Sequence, residues 1–209
     1  MGQLEEARPL LEEALQARKE TLGNRHPDTL TSINNLGWLL AAMGELKKAR
    51  PLYEEAMQGM RETLGDRHPQ TLTSISNMGQ LLQDMGQLEE ARPLHEEALQ
   101  GRRETLGDRH RNTLISIGNM ADLLRATGAL VESEAVLGNA VGVAQEVFGI
   151  DHMETLVITA KAARLQHAQL GGAAAGKALL AATVARMAEV FGESHRQTSM
   201  YRKVLTEME

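Results

Sequence analysis

Apolar residues fall on a helical period along most of this chain. Leu30, Ile33, Leu36, Leu40 and Met43 lie at i, i+3, i+6, i+10 and i+13, one stripe of 3.6 period that predicts an amphipathic helix. Pro27 stands in the first turn, where a helix tolerates proline best, and Asp28 suits the positive end of the dipole. Met43-Gly44 breaks the pattern. A second stripe follows in Leu46, Ala49, Leu52, Tyr53, Ala56, Met57, Met60 and Leu64, closed by Gly65 in the manner of a C-cap glycine. Glu54, Glu55, Arg61 and Glu62 fall off that stripe and read as solvated.

The pair of stripes then repeats. The 42 residues from Gly23 to Leu64 return closely from Gly65 to Leu106. His26, His68, His110 and His152 are 42 apart, and His195 follows after 43. Gly44, Gly86, Gly128 and Gly171 mark the second half of each unit, which puts the one-residue slip between Ala163 and Gly171. A period in this range means stacked supersecondary units. The expected fold class is therefore all-α, a solenoid of antiparallel helix pairs forming a single array over 1–209. The expected divisions are an orphan second helix at 1–22 and helix pairs at 23–64, 65–106, 107–148 and 149–192, the last degenerate. A partial first helix follows at 193–209. Small residues at Gly37, Gly79, Ala121 and Ala163 in first helices, and at Ala49, Ala56, Ala91, Ala98 and Ala140 in second helices, imply closely packed pairs. Pro9, Pro51 and Pro93 recur inside the second helices and predict a bend or a late start there. Ala135 and Ala178 replace them later, so those helices are expected to be straighter.

Composition narrows the function classes. The chain has 209 residues, 42% hydrophobic but only 2% aromatic, so its core must be aliphatic. A net charge of −6 leaves no broad basic footprint for nucleic acid or an anionic membrane. The absence of cysteine excludes disulfides and Cys-based zinc sites and fits a reducing, cytoplasmic setting. No apolar run approaches the roughly 20 residues needed to span a bilayer, and Met1 to Glu13 has no apolar core of a signal peptide. Met1-Gly2 repeats the dipeptides Met43-Gly44 and Met85-Gly86, so the chain is expected to be a piece of a longer array.

Catalytic and metal signals are weak, and the expectation is a non-enzyme without cofactor or metal. Gly171 to Lys177 reads GxxxxGK, the skeleton of a phosphate loop. Ala178 stands where a hydroxyl would hold magnesium, the preceding segment is helical, and the glycines fall at an inter-helix turn. One histidine per repeat places the imidazoles about 10 Å apart, too far to share a zinc ion; ordering of the loop before the helix is their expected role. The pairs Glu12-Glu13, Glu54-Glu55 and Glu96-Glu97 recur, whereas acid/base catalysis needs one asymmetric environment.

Leu36-Gly37, Leu40, Ala49, Tyr53 and Ala56 resemble the tetratricopeptide repeat. The 42-residue unit resembles the long kinesin light chain and nephrocystin type. It carries His-Pro-x-Thr-Leu at 26–30, Asn-Asn-Leu-Gly at 34–37 and Ala-Arg-Pro-Leu-Tyr-Glu-Glu-Ala at 49–56. The likeness is strong from Met1 to about Leu124 and weaker beyond. It implies a right-handed α–α superhelix whose first helices line a concave groove that receives peptides. Transferred position by position, the partner-binding groove takes Thr31, Asn34, Asn35 and Trp38 from the first full unit. It takes Thr73, Ser76, Asn77, Gln80 and Gln83 from the second, and Ile115, Asn119, Asp122 and Arg125 from the third. Lys161, Arg164 and His167 come from the fourth, the last two subject to the register slip.

Asn35, Asn77 and Asn119 share one repeat position. Their amides either bond a peptide backbone or bond the neighbouring helix. Trp38 is either a hot spot for a partner or packed against the next unit. The carboxylate clamp of chaperone-binding repeats is not reproduced, because Asn34, Trp38, Ile115 and Asn119 occupy its outer places. The resulting expectation is a protein–protein interaction scaffold for an extended segment, acidic by preference because of Arg125, Lys161 and Arg164. The alternatives are end-to-end self-association, or a regulatory or sensor region of a larger signalling protein.

Overall fold

The computed structural model describes residues 2–169 and 171–208, with only the backbone for residues 2 and 3. They form two compact units, Met1–Thr105 and Leu106–Glu209. Among the described residues the regular structure is all helical.

Unit 1 holds α1 (Gly2–Leu22), α2 (Pro27–Ala42), α3 (Leu46–Leu64), α4 (Pro69–Asp84) and α5 (Leu88–Leu106). The helix α2 packs on α1 and α3, and α3 packs on α4. Leu30, Ile33, Leu72 and Ile75 are fully buried, as the stripes predict. The small residues are where the helices meet. Gly37 lies under the Tyr53 ring, with room for a Cβ only 3.1 Å from Cδ1, and Gly79 lies under the His95 imidazole in the same way at 3.2 Å. A Cβ on Gly59 would come within 2.5 Å of Leu30 Cδ2, and one on Gly101 within 2.5 Å of Leu72 Cδ2.

Unit 2 holds α6 (Arg111–Ala126), α7 (Leu130–Leu137), α8 (Ala140–Phe148), α9 (Met153–Ala168), α10 (Ala173–Phe191) and α11 (Arg196–Thr206). Its core joins Leu156, Ala160 and Ala163 of α9 to Leu180, Val184 and Met187 of α10 and Tyr201 of α11. Gly176 of the phosphate-loop-like segment is a packing glycine. A Cβ there would run into the backbone of Ala163 and His167, so α9 and α10 approach backbone to backbone. Gly171 has φ +77 and forms the turn.

The first helices share one start. At His26, His68, His110, His152 and His195, imidazole Nδ1 accepts a hydrogen bond from the backbone N–H two residues on, at 3.1–3.3 Å. That bond satisfies one of the orphan donors of the first turn. The turns after α2, α4 and α6 are closed in the Schellman pattern; at the first, Glu45 N–H donates to Leu40 O at 2.9 Å, with Gly44 at φ +81.

Of the two outcomes expected at the prolines, the late start does not occur: α3 begins at Leu46 and α5 at Leu88, and both run on through Pro51 and Pro93. A proline so near the N-terminus removes one hydrogen bond from a helix whose Ala49, Tyr53 and Ala56 are already buried. The interrupted second helix is one that lacks proline. It divides into α7 and α8 at Gly138, φ +40, and Asn139.

Ion pairs tie each pre-helix loop to the second helix that follows. Arg25 pairs with Glu62 and Arg67 with Glu104 in unit 1, and Arg109 with Glu146 in unit 2. One repeat further the polarity reverses, and Asp151 accepts from Arg186 through two bonds of 2.7 Å.

Candidate partner-binding surface

The first helices of unit 1 present a face of mostly uncharged polar groups. Thr31 and Thr73 turn their hydroxyls back to the carbonyls of Pro27 and Pro69, 2.9 Å away, and Gln70 Nε2 also donates to Thr31 at 3.4 Å. Asn34 and Ser76 are buried. Asn77 Nδ2 donates to Asn34 Oδ1 at 3.2 Å, joining successive first helices. Asn35 is exposed and Gln83 half-buried. Gln80, also half-buried, donates to Asp84 on the next turn at 2.9 Å. Trp38 leaves 43% of its surface open.

The first helices of unit 2 are charged. Asp122 on α6 stands among three cations. Its Oδ2 is 2.9 Å from Lys161 Nζ and its Oδ1 is 3.1 Å from Arg164 Nη1, both on α9; Arg125 Nε lies 3.8 Å away. Lys161 also donates to Asn119 Oδ1 at 3.0 Å. Burial opposes ionisation of Asp122 more than any other single influence, yet the attraction of Lys161, Arg164 and Arg125 together holds its carboxyl below the ordinary value. Burial, followed by repulsion from Arg164, lowers Arg125. Tyr201, buried on α11, is raised by burial and by the charge of Asp122.

The structure thus brings Asn119, Asp122, Arg125, Lys161 and Arg164 into one cluster. The register slip does not disturb Arg164, because α9 keeps the repeat phase through Ala168. His167 is drawn elsewhere: its Nδ1 lies 2.9 Å from Ala173 O, at the turn into α10. Residue 170, within the segment assigned to the slip, lies outside the described residues. In two of the three amides of the Asn35 row, the bond goes to a neighbouring first helix.

Sequence reasoning placed Ile115 on this face but missed Val157, Met200 and Tyr201. Ile115, 36% exposed, shares its repeat position with Val157 and with Met200, which is 42% exposed, whereas unit 1 has Thr31 and Thr73 there. The 42-residue period leads from Ile115 to Val157, and counting it through the slip leads to Met200. Tyr201 beneath the cluster carried no such signal, since its repeat position holds Ser32, Ser74, Ser116 and Ile158.

No described helix is long and apolar enough to cross a membrane, and no group of three metal-ligating side chains occurs among the described residues.

Helix pairs capped at a fixed period, with small residues at each crossing, define a helical-repeat protein of the α–α superhelix class. The tetratricopeptide repeat family model matches residues 1–62, 39–104 and 70–137, and the chain belongs to that family. Two similar solved structures are of nearly identical TPR-like repeats from Podosopora anserina, assigned as a kinesin light chain. One, a point variant, is 28% identical with a TM-score of 0.72, covering 90% of this chain and 88% of that one. The other is 28% identical with a TM-score of 0.70, covering 91% and 90%. BtubC (BKLC) from P. vanneervenii shares the fold at 16% identity, with a TM-score of 0.70, over 99% of this chain and 82% of that one. A comparison with curated protein sequences found no match. The chain is thus a repeat array of the kinesin light chain type, a protein-interaction scaffold in a fold that is typically non-enzymatic.

Proposed function

We propose that the chain binds an extended segment of a partner protein along the faces of its first helices. The observation that carries this reading is Trp38. A large aromatic side chain left 43% exposed, on a face otherwise lined by amides and hydroxyls, is the composition of an interaction hot spot. Neighbouring Asn35, Gln80 and Gln83 supply donors and acceptors suited to a peptide backbone in any sequence. In unit 2, three cations against one carboxylate favour an acidic segment. The likeness to kinesin light chain repeats supports a cytoplasmic location, and the divisions at 23–64, 65–106, 107–148 and 149–192 are our reading of the repeats.

Titration of a peptide library against wild type and Trp38→Ala tests the anchor. The expected result is a loss of about 2 kcal/mol in binding, or roughly thirtyfold, for ligands with an apolar residue. Unchanged affinity for every ligand would sink the anchor role.

Self-association is a second reading, favoured by Leu10, 67% exposed on α1. A molar mass that stays constant across concentration rules it out.

A further inference from the structure

We infer that Asp122 is a resident occupant of the cationic seat in unit 2, its carboxylate holding the place that a partner's carboxylate would take. The inference rests on the reading of this face as a partner site and adds its regulation.

Three observations carry it. The first is convergence. Lys161 and Arg164 reach opposite oxygens of one carboxylate at 2.9 and 3.1 Å, and Arg125 approaches from the same helix as Asp122 at 3.8 Å. Charged donors aimed at both oxygens of a single group are how a protein grips a carboxylate ligand, and here the group is its own. The second is repeat position. Asp122 aligns with Trp38 and Gln80, so the helix pair forms without a carboxylate there. The third is access and balance. Lys161, Arg164 and Arg125 keep 12%, 22% and 24% of their side-chain surface open to solvent. Three positive charges against one negative leave an excess of two. The cluster still attracts an acidic segment, but its best-placed hydrogen bonds are already in use.

Asp122 therefore lowers affinity for an acidic partner while keeping the three cations from repelling one another. A partner carboxylate must displace it or accept a less complete set of donors.

The test uses a fluorescein-labelled hexaglutamate peptide, with a hexaglutamine peptide as the neutral control, read by fluorescence polarisation. The main variant is Asp122→Gln, which installs the side chain found at Gln80. Its hexaglutamate affinity is expected to rise on the order of tenfold, with hexaglutamine unaffected. In Asp122→Ala the cations lose their counter-charge and the fold is weakened. There the readout is the melting temperature, and hexaglutamate is expected to raise it more than in wild type, because the ligand binds only the folded state. Equal or weaker hexaglutamate binding by a folded Asp122→Gln, or equal melting shifts in Asp122→Ala and wild type, would overturn the role of Asp122. The underlying reading is scored separately with Lys161→Gln in an otherwise wild-type chain. Weakened hexaglutamate binding upholds this face as an acidic-segment site, and unchanged binding overturns it.

Discussion

Each repeat histidine caps its helix through one atom. Nδ1 accepts from the backbone N–H two residues on, doing the work usually given to Ser, Asp or Asn. His68→Ala is expected to cost about 1 kcal/mol, while His68→Asn restores most of it. Urea unfolding of the two variants checks this. The 42-residue spacing of these histidines made their structural role legible, because one residue per repeat cannot build one shared site. Asp122 was not legible in the same way. Its partners Arg164 and Lys161 lie 42 and 39 residues away, and the pairing emerges only once successive first helices are known to face each other at matching positions. Its charge also sets an acid limit. A carboxyl held below its ordinary value binds fewer protons in the folded chain than in the unfolded one. Its contribution is therefore complete above about pH 4 and is lost as pH falls through the folded value. Asp122→Asn is expected to flatten that acid limb, measured as melting temperature against pH.

At the scale of the element, the stripes, the His-Pro starts and the Leu-Gly ends gave α2 and α3 nearly residue by residue. The second helices show where such reading fails. The prolines delay no helix start, because packing on Ala49, Tyr53 and Ala56 outweighs one lost hydrogen bond. Gly138-Asn139 replaces Glu54-Glu55 and Glu96-Glu97 at the same repeat position. Two weak helix formers in succession interrupt a helix that the other repeats carry straight through. Replacing them together, Gly138→Glu with Asn139→Glu, is expected to join α7 to α8 and stabilise unit 2 by about 1 kcal/mol. Circular dichroism should show a gain in helix, and no gain would mean that the interruption is imposed by packing.

At the scale of the whole chain, both units share one scaffold but not one surface. Unit 1 offers threonine, asparagine, glutamine and a tryptophan at the positions where unit 2 offers isoleucine, valine, methionine and a charged cluster. The scaffold was legible because it repeats, and the site was harder to read because it lies where the repeats differ. The charged rungs also limit how such a gene can lengthen. In unit 2, Asn119 meets Lys161 and Asp122 meets Arg164, so each residue faces its own counterpart one repeat along. A tandem duplication of 65–106 would set Gln80 beside another Gln80, which amides tolerate. A duplication of 107–148 would set one Asp122 against another. Copying a neutral repeat thus keeps its rungs matched, whereas copying the charged one sets like charges together and parts one Asp122 from Arg164.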